Sequence, residues 1–138
     1  MEKDDIYYIK KAINEAKKAY ELNEIPVGVV IVQNGKIIAK AHNERDTKQI
    51  VTKHAEIIAI EKANKKINNW RLLDATLYTT LEPCKMCEEI IKESKIKDVV
   101  YCAKNQNNKT NYKQINDQNI ISYCEELIRR KFDEIRIT

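Results

Sequence analysis

His54 and Cys84 stand thirty positions apart, and Cys87 follows three residues after Cys84. Imidazole and thiolate are donors from which tetrahedral transition-metal sites are built, so this spacing restricts the fold: two distant segments must meet. Cys84 and Cys87 share one face of a helix, about a turn apart. His54 and Glu56 are two apart and would lie on opposite sides of a helix. They converge only if an ion is met end-on, at the first turn. Pro83, directly before Cys84, is tolerated at helix starts. The pattern therefore predicts two helix N-termini aimed at one ion, with dipoles that favour thiolate over thiol.

Two thiolates and one imidazole suit zinc, and three protein ligands leave the fourth position for water. A structural site would recruit a fourth protein ligand, but Cys102 and Cys124 are poorly spaced for it and read as small buried apolar residues. Glu56 is superfluous in a structural site. Beside an activated water, a carboxylate can take a proton and later return it to a leaving group, which is hydrolytic chemistry. A lone Cys-x-x-Cys could also be a redox pair or half a zinc knuckle, but neither needs His54 and Glu56. A metal site that has lost its activity is the more serious rival.

Composition bounds the partners. A chain of 138 residues suits one domain, residues 1–138, around one core. Charged residues make up 33% and the net charge is +4, which permits an anionic partner without demanding one. No apolar run resembles a signal peptide or a membrane span. Free cysteines at metal-ligand spacing suit a reducing compartment, so the expected location is the cytoplasm.

Asp4 or Asp5 opens an amphipathic helix through Ile6, Ile9, Ile13, Ala16 and Tyr20, ending near Asn23. Residues 25–32 form a nearly continuous β-branched run, as a strand covered on both faces would. Asn34-Gly35 then predicts a two-residue hairpin, with the return strand over 36–43. Residues 44–51 read as a polar loop. The helix after His54 carries Ile57, Ile58, Ile60, Ala63 and Ile67, and a strand follows over 75–80. The helix after Cys84 runs to about Ser94 with Ile90 and Ile91 inward, and leads to a strand over 98–102. Residues 104–119 are rich in Asn, Gln and Lys and read as a long loop. Ile121, Cys124, Ile128 and Phe132 mark a last helix, with a short strand or tail through Ile135-Arg136-Ile137. Helix-linked strands after a hairpin imply parallel crossovers. The fold class is thus α/β: a three-layer α/β/α sandwich whose mixed sheet starts with an antiparallel hairpin and continues in parallel strands.

At this point the chain resembles the cytidine deaminase-like superfamily, and most closely the bacterial tRNA adenosine deaminases. The matching runs are Ile25-Pro26-Val27-Gly28, His42-Asn43, His54-Ala55-Glu56-Ile57, Trp70-Arg71-Leu72, Asp74-Ala75-Thr76-Leu77-Tyr78, Thr80-Leu81-Glu82-Pro83-Cys84-Lys85-Met86-Cys87, Ser94-Lys95-Ile96 and Val99-Val100-Tyr101. The order H-x-E followed by P-C-x-x-C is the zinc-deaminase pattern. The resemblance implies one Zn2+ per subunit on His54, Cys84 and Cys87, proton shuttling by Glu56, and a homodimer. It also implies that Asn43 touches the target base, that the Ala55 amide polarises it, and that Pro26-Val27 lie at the substrate. Asn43 could instead end a strand and cap a turn, and Pro26-Val27 could be ordinary strand entry.

The chain departs from the family where Val51-Thr52-Lys53 replaces Pro-Thr-Ala, and where 105–111 replaces a glycine-containing loop. Arg129, Arg130, Lys131 and Phe132 could meet RNA phosphates and a base, or form only a solvated helix end. The implied function is hydrolytic deamination of adenosine to inosine at the wobble position of a tRNA anticodon loop, through water activated on zinc. The alternatives are a deaminase of a free base or nucleoside of guanine or cytosine type, or a silent zinc-stabilised RNA-binding subunit.

Overall fold

A computed structural model describes residues 3–137. The first helix, α1 (Asp5–Glu21), begins where the Asp4 carboxylate accepts the Tyr7 N–H at 2.9 Å. Strands β1 (Gly28–Gln33) and β2 (Lys36–His42) are antiparallel and joined through Asn34-Gly35. Both turn residues have positive φ, 52° and 74°, as the tight hairpin twist requires. A short helix α2 (Arg45–Lys48) precedes α3 (Ala55–Ile67), which crosses to β3 (Ala75–Leu81). Helix α4 (Lys85–Glu93) then crosses to β4 (Asp98–Ala103). The chain closes with β5 (Lys113–Gln114) and α5 (Gln118–Ile137). Sheet order is β2-β1-β3-β4-β5; β1 pairs antiparallel with β2 and β3, while β3, β4 and β5 run parallel.

Alternation along the strands builds the layers. Val29, Ile31, Leu77 and Val99 pack with Ala55, Ile58, Ala59 and Ile91, so α3 and α4 cover one face. Val30, Val32, Tyr78, Val100 and Cys102 pack with Ile9, Ile13, Ile121 and Cys124, so α1 and α5 cover the other. Cys102 and Cys124 are buried there, as their apolar reading expects. The three-layer mixed sheet matches the sequence reading.

Local differences have local causes. The run from Ile25 does not pair until Gly28, because the Val27 N–H turns back to the Ile25 carbonyl at 2.8 Å. The polar loop over 44–51 contains α2, whose Asp46 and Thr47 amides donate to the buried Glu24 carboxylate. The loop over 104–119 contains β5, and the Ile115 N–H donates to the Tyr101 carbonyl at 3.0 Å. Residues Ile135-Arg136-Ile137 continue α5 rather than forming a strand or tail. Ion pairs one turn apart, Arg129–Asp133 and Arg136–Asp133, support the helical alternative.

One glycine sets the spacing between layers. A Cβ on Gly28 would fall 2.0 Å from the Ala12 carbonyl oxygen and 2.4 Å from the Ala16 amide nitrogen. The obstacle is helix backbone, which cannot swing aside. Gly28→Ala should destabilise the protein by about 3 kcal/mol, the upper end of ordinary overpacking, as read by denaturant unfolding.

Asp5 ties α1 to the sheet: one carboxylate oxygen accepts the Tyr78 hydroxyl at 2.8 Å and the other pairs with Lys113 at 2.8 Å. Burial works to raise its pKa, but the bonds from Lys113 and Tyr78 outweigh it and hold the carboxyl below the usual aspartate value. A lowered folded pKa contributes stability above the unfolded value, and that stability is lost as pH falls through the folded one. Asp5→Asn should therefore flatten the acid side of the stability–pH profile below about pH 4, with little change in its slope at neutrality.

Candidate active site

The C-terminal end of β3 runs through Leu81-Glu82-Pro83 into α4, and the loop after β2 runs into α3. Cys84 is the N-cap of α4 and His54 the N-cap of α3, both with extended backbone and neither making a side-chain cap bond. The end-on approach inferred from the spacing is what the structure shows. His54 Nδ1 lies 3.8 Å from Cys84 Sγ and 3.6 Å from Cys87 Sγ. All the ligand atoms lie within 4.8 Å of one another, and no fourth protein donor joins the group among the described residues. Donors about 2.0 to 2.3 Å from a tetrahedral ion stand roughly 3.5 to 3.8 Å apart, so the His54 contacts already match a zinc site.

The charges are arranged to share protons. Hydrogen bonds from Cys87 and then His54 hold the Cys84 thiol down to about 3, while the same bond and burial push Cys87 up. The bond to Cys84 raises His54. Glu56, in the first turn of α3, is buried, and burial pushes its carboxyl up to about 7. A carboxyl near neutrality can both accept and release a proton at ordinary pH.

A cleft of about 800 Å³ opens beside these groups. Asn43 and Val27 form its wall near Glu56, and the Asn43 N–H donates to the Val27 carbonyl at 3.1 Å. Pro26 is fully buried behind them, and Ala55 is buried at the start of α3. The loop of residues 104–107 forms one side, and Arg129 and Phe132 of α5 form another. Arg130 instead stacks over the Tyr20 ring, 6.0 Å from its centroid. Lys131 departs from the sequence expectation of an RNA contact: it is 2% exposed and donates to Asn23 Oδ1 at 2.9 Å. Lys53 extends from the metal ligand toward Glu61, at 3.6 Å.

Sequence reasoning missed two buried glutamates. Glu82 accepts from the Asn105 amide at 3.1 Å, the Thr110 amide at 2.7 Å and the Thr110 hydroxyl at 2.6 Å, bolting the loop after β4 to the residue beside Pro83-Cys84. Burial opposes ionisation of Glu82, yet the bonds from Thr110 and Asn105 keep its carboxyl below the usual range. Glu24 holds α2 in a similar way, and α2 presents Arg45 to the cleft. The available signal was a carboxylate standing alone within an apolar stretch, as in Leu81-Glu82-Pro83-Cys84.

Residues 2–103 match the family described as the cytidine and deoxycytidylate deaminase zinc-binding region. The chain belongs to that family. The group His54, Cys84 and Cys87 fits the zinc in the family's description, and these are the residues that would hold it. A tRNA-specific adenosine deaminase of Bacillus subtilis is 52% identical over 99 residues, 72% of this deaminase-family chain and 62% of that protein. The chain thus spans less than two thirds of that relative's length. A structure from studies of A-to-I editing by tRNA:A34 deaminases at the wobble position of transfer RNA is 38% identical, with a TM-score of 0.71, covering 72% of this chain and 77% of that one. Guanine deaminase from Bacillus subtilis is 36% identical, with a TM-score of 0.72, covering 76% and 68%.

Removing one family ligand should release the ion. Cys87→Ser is expected to drop zinc, measured by elemental mass spectrometry, from about one per chain to a small fraction, with a lower melting midpoint. Cys102→Ser, on the other face of the sheet, should leave the zinc content as it was.

Proposed function

We propose that this chain is a zinc-dependent hydrolase that converts adenosine to inosine at the wobble position of a tRNA, releasing ammonia. The observation that carries the reading is the cleft. It leads from Glu56 and Asn43 outward past Arg45, Lys104, Arg129, Phe132 and Arg136. A cleft of about 800 Å³ lies toward the upper end of what a drug-sized ligand fills, so a lone base would leave much of it empty. Cations at its mouth suit phosphates, and an exposed aromatic suits stacking against an unpaired base. The likeness to tRNA-specific adenosine deaminases supports the same substrate.

Zinc, when bound, supplies Lewis acidity that makes water a nucleophile near neutral pH. The chain's own groups do the rest. The Glu56 carboxylate accepts one proton of the attacking water and passes it to the purine ring nitrogen; it then takes the second proton from the oxygen added to the ring and gives it to the amine, which leaves as ammonia. The Asn43 amide, which makes no side-chain hydrogen bond among the described residues, takes the edge of the base. The Ala55 N–H, at the uncapped start of α3, polarises the base. Val27, with Pro26 behind it, closes the pocket against water. Arg129 and Phe132 hold the flanking nucleotides, with Arg130 at the outer edge; Lys131 has no part in that contact.

Residues 1–138 act as one domain in this reading. It also includes a homodimer, supported by the exposed apolar side chains Ile50, Val51, Trp70 and Leu73 at the two ends of α3. The cytoplasm, where tRNA is found, is the proposed location, and no described helix is long and apolar enough to cross a membrane.

The test is ammonia release by the zinc-loaded protein, offered tRNA with adenosine at the wobble position beside guanine, cytosine and their nucleosides. Inosine at the wobble position is the expected product. Release from a small molecule alone would replace the reading with a free-base or nucleoside deaminase. Glu56→Gln should keep its zinc and lose roughly a thousandfold or more in turnover; unchanged turnover would remove Glu56 from the proton path.

A further inference from the structure

The buried face of α5 carries Ile121, Cys124 and Leu127, and the next position of that stripe is Lys131. An apolar residue would continue the stripe at lower desolvation cost, since a buried charge is rarely a net source of stability. The lysine is instead met from several sides by the turn that ends α1. Its Nζ donates to Asn23 Oδ1 at 2.9 Å and lies 4.0 Å from the centroid of the Tyr20 ring. Glu134 Oε1 is 3.6 Å away, and the Tyr20 hydroxyl donates to the same Glu134 carboxylate. The ammonium also faces the C-terminal end of α1, the negative end of that helix.

The same turn holds a second helix. Glu24, next after Asn23, is fully buried, and its carboxylate takes the N–H groups of Asp46 at 3.2 Å and Thr47 at 2.5 Å in α2. Residues 20–24 therefore grip α5 through Lys131 and α2 through Glu24. Both gripped helices face the cleft, α2 with Arg45 and α5 with Ile128, Arg129 and Phe132. On α5 those cleft residues lie on either side of Lys131 in sequence, so fixing its ammonium fixes the rotation of the helix about its axis.

We infer that Lys131 is a positioning residue that locks the α5 wall of the cleft to the turn after α1 and, with Glu24, sets the width of the cleft mouth. The inference rests on the reading of the cleft as the place where an RNA enters. It does not involve the metal ligands, which sit on α3 and α4 across the sheet.

The test pairs two variants. Lys131→Met removes the ammonium but keeps the length of the side chain. Asn23→Gly removes the acceptor at a backbone position, φ 60°, that glycine adopts without strain. Both should fold, keep their zinc and keep kcat on wobble-adenosine tRNA within about twofold, while KM rises about tenfold, the scale of one lost charged hydrogen bond. The double variant should be no worse than Lys131→Met alone, because both changes break one contact. Amides of residues 128–136 should exchange faster with deuterated water in Lys131→Met. An unmoved KM in both variants overturns the inference, and so does a loss confined to kcat that tracks zinc loss. If Lys131→Met does not fold, the KM of Asn23→Gly decides. If the wild-type protein does not act on tRNA, the functional reading fails instead. The exchange measurement then stands alone, and unchanged exchange over 128–136 overturns the lock.

Discussion

A helix that opens on a metal ligand gives up its cap. His54 and Cys84 occupy N-cap positions where serine or aspartate would ordinarily satisfy first-turn amides, and neither side chain does so. Those amides and the helix dipoles then favour negative charge at the site, which answers the thiolates. Two such ends can face each other only if both helices start at the same edge of the sheet. The crossovers β2-α3-β3 and β3-α4-β4 deliver both starts beside the C-terminal end of β3. Strand order, layer assignment and cleft position follow from that one requirement, with the ligands gathered beyond the carboxyl ends of the strands as in other open α/β sheets.

Two buried carboxylates make the loops around this edge rigid. Glu82 holds the segment after β4, and Glu24 holds the segment after β2. Asn108 adds a bridge from the first of these loops to the Pro83 carbonyl at 2.9 Å and to Glu88 at 3.2 Å. A stretch rich in asparagine and poor in glycine thereby becomes a fixed wall, because backbone amides otherwise open to solvent have anionic partners inside the protein.

The features legible in the sequence were those carried by short-range rules. Spacing alone placed His54, Glu56, Cys84 and Cys87 at two helix starts, and Asn34-Gly35 announced the hairpin. The alternation of Val29 to Val32 between two packed faces matched a strand covered on both sides. What escaped depended on long-range partners. Nothing local in Arg45 to Lys48 suggests a helix until the Glu24 carboxylate is known to sit at its start. Lys113-Gln114 pairs only because β4 offers it an edge. Lys131 looked like one more cation in Arg129-Arg130-Lys131 because charge density gives no sign of which member a helix turns inward; the helix, read through Ile128 and Phe132, in fact buries Leu127 and Lys131.

The family match ends at residue 103, where β4 ends, and the helix that follows lies on the opposite face of the sheet from α3 and α4. Both parts nevertheless line one cleft: His54, Glu56 and Cys84 come from the matched part, and Arg129, Phe132 and Arg136 from the segment after it. Substitutions after β4 can therefore reshape one wall of the cleft without touching the side chains that gather at the two helix starts.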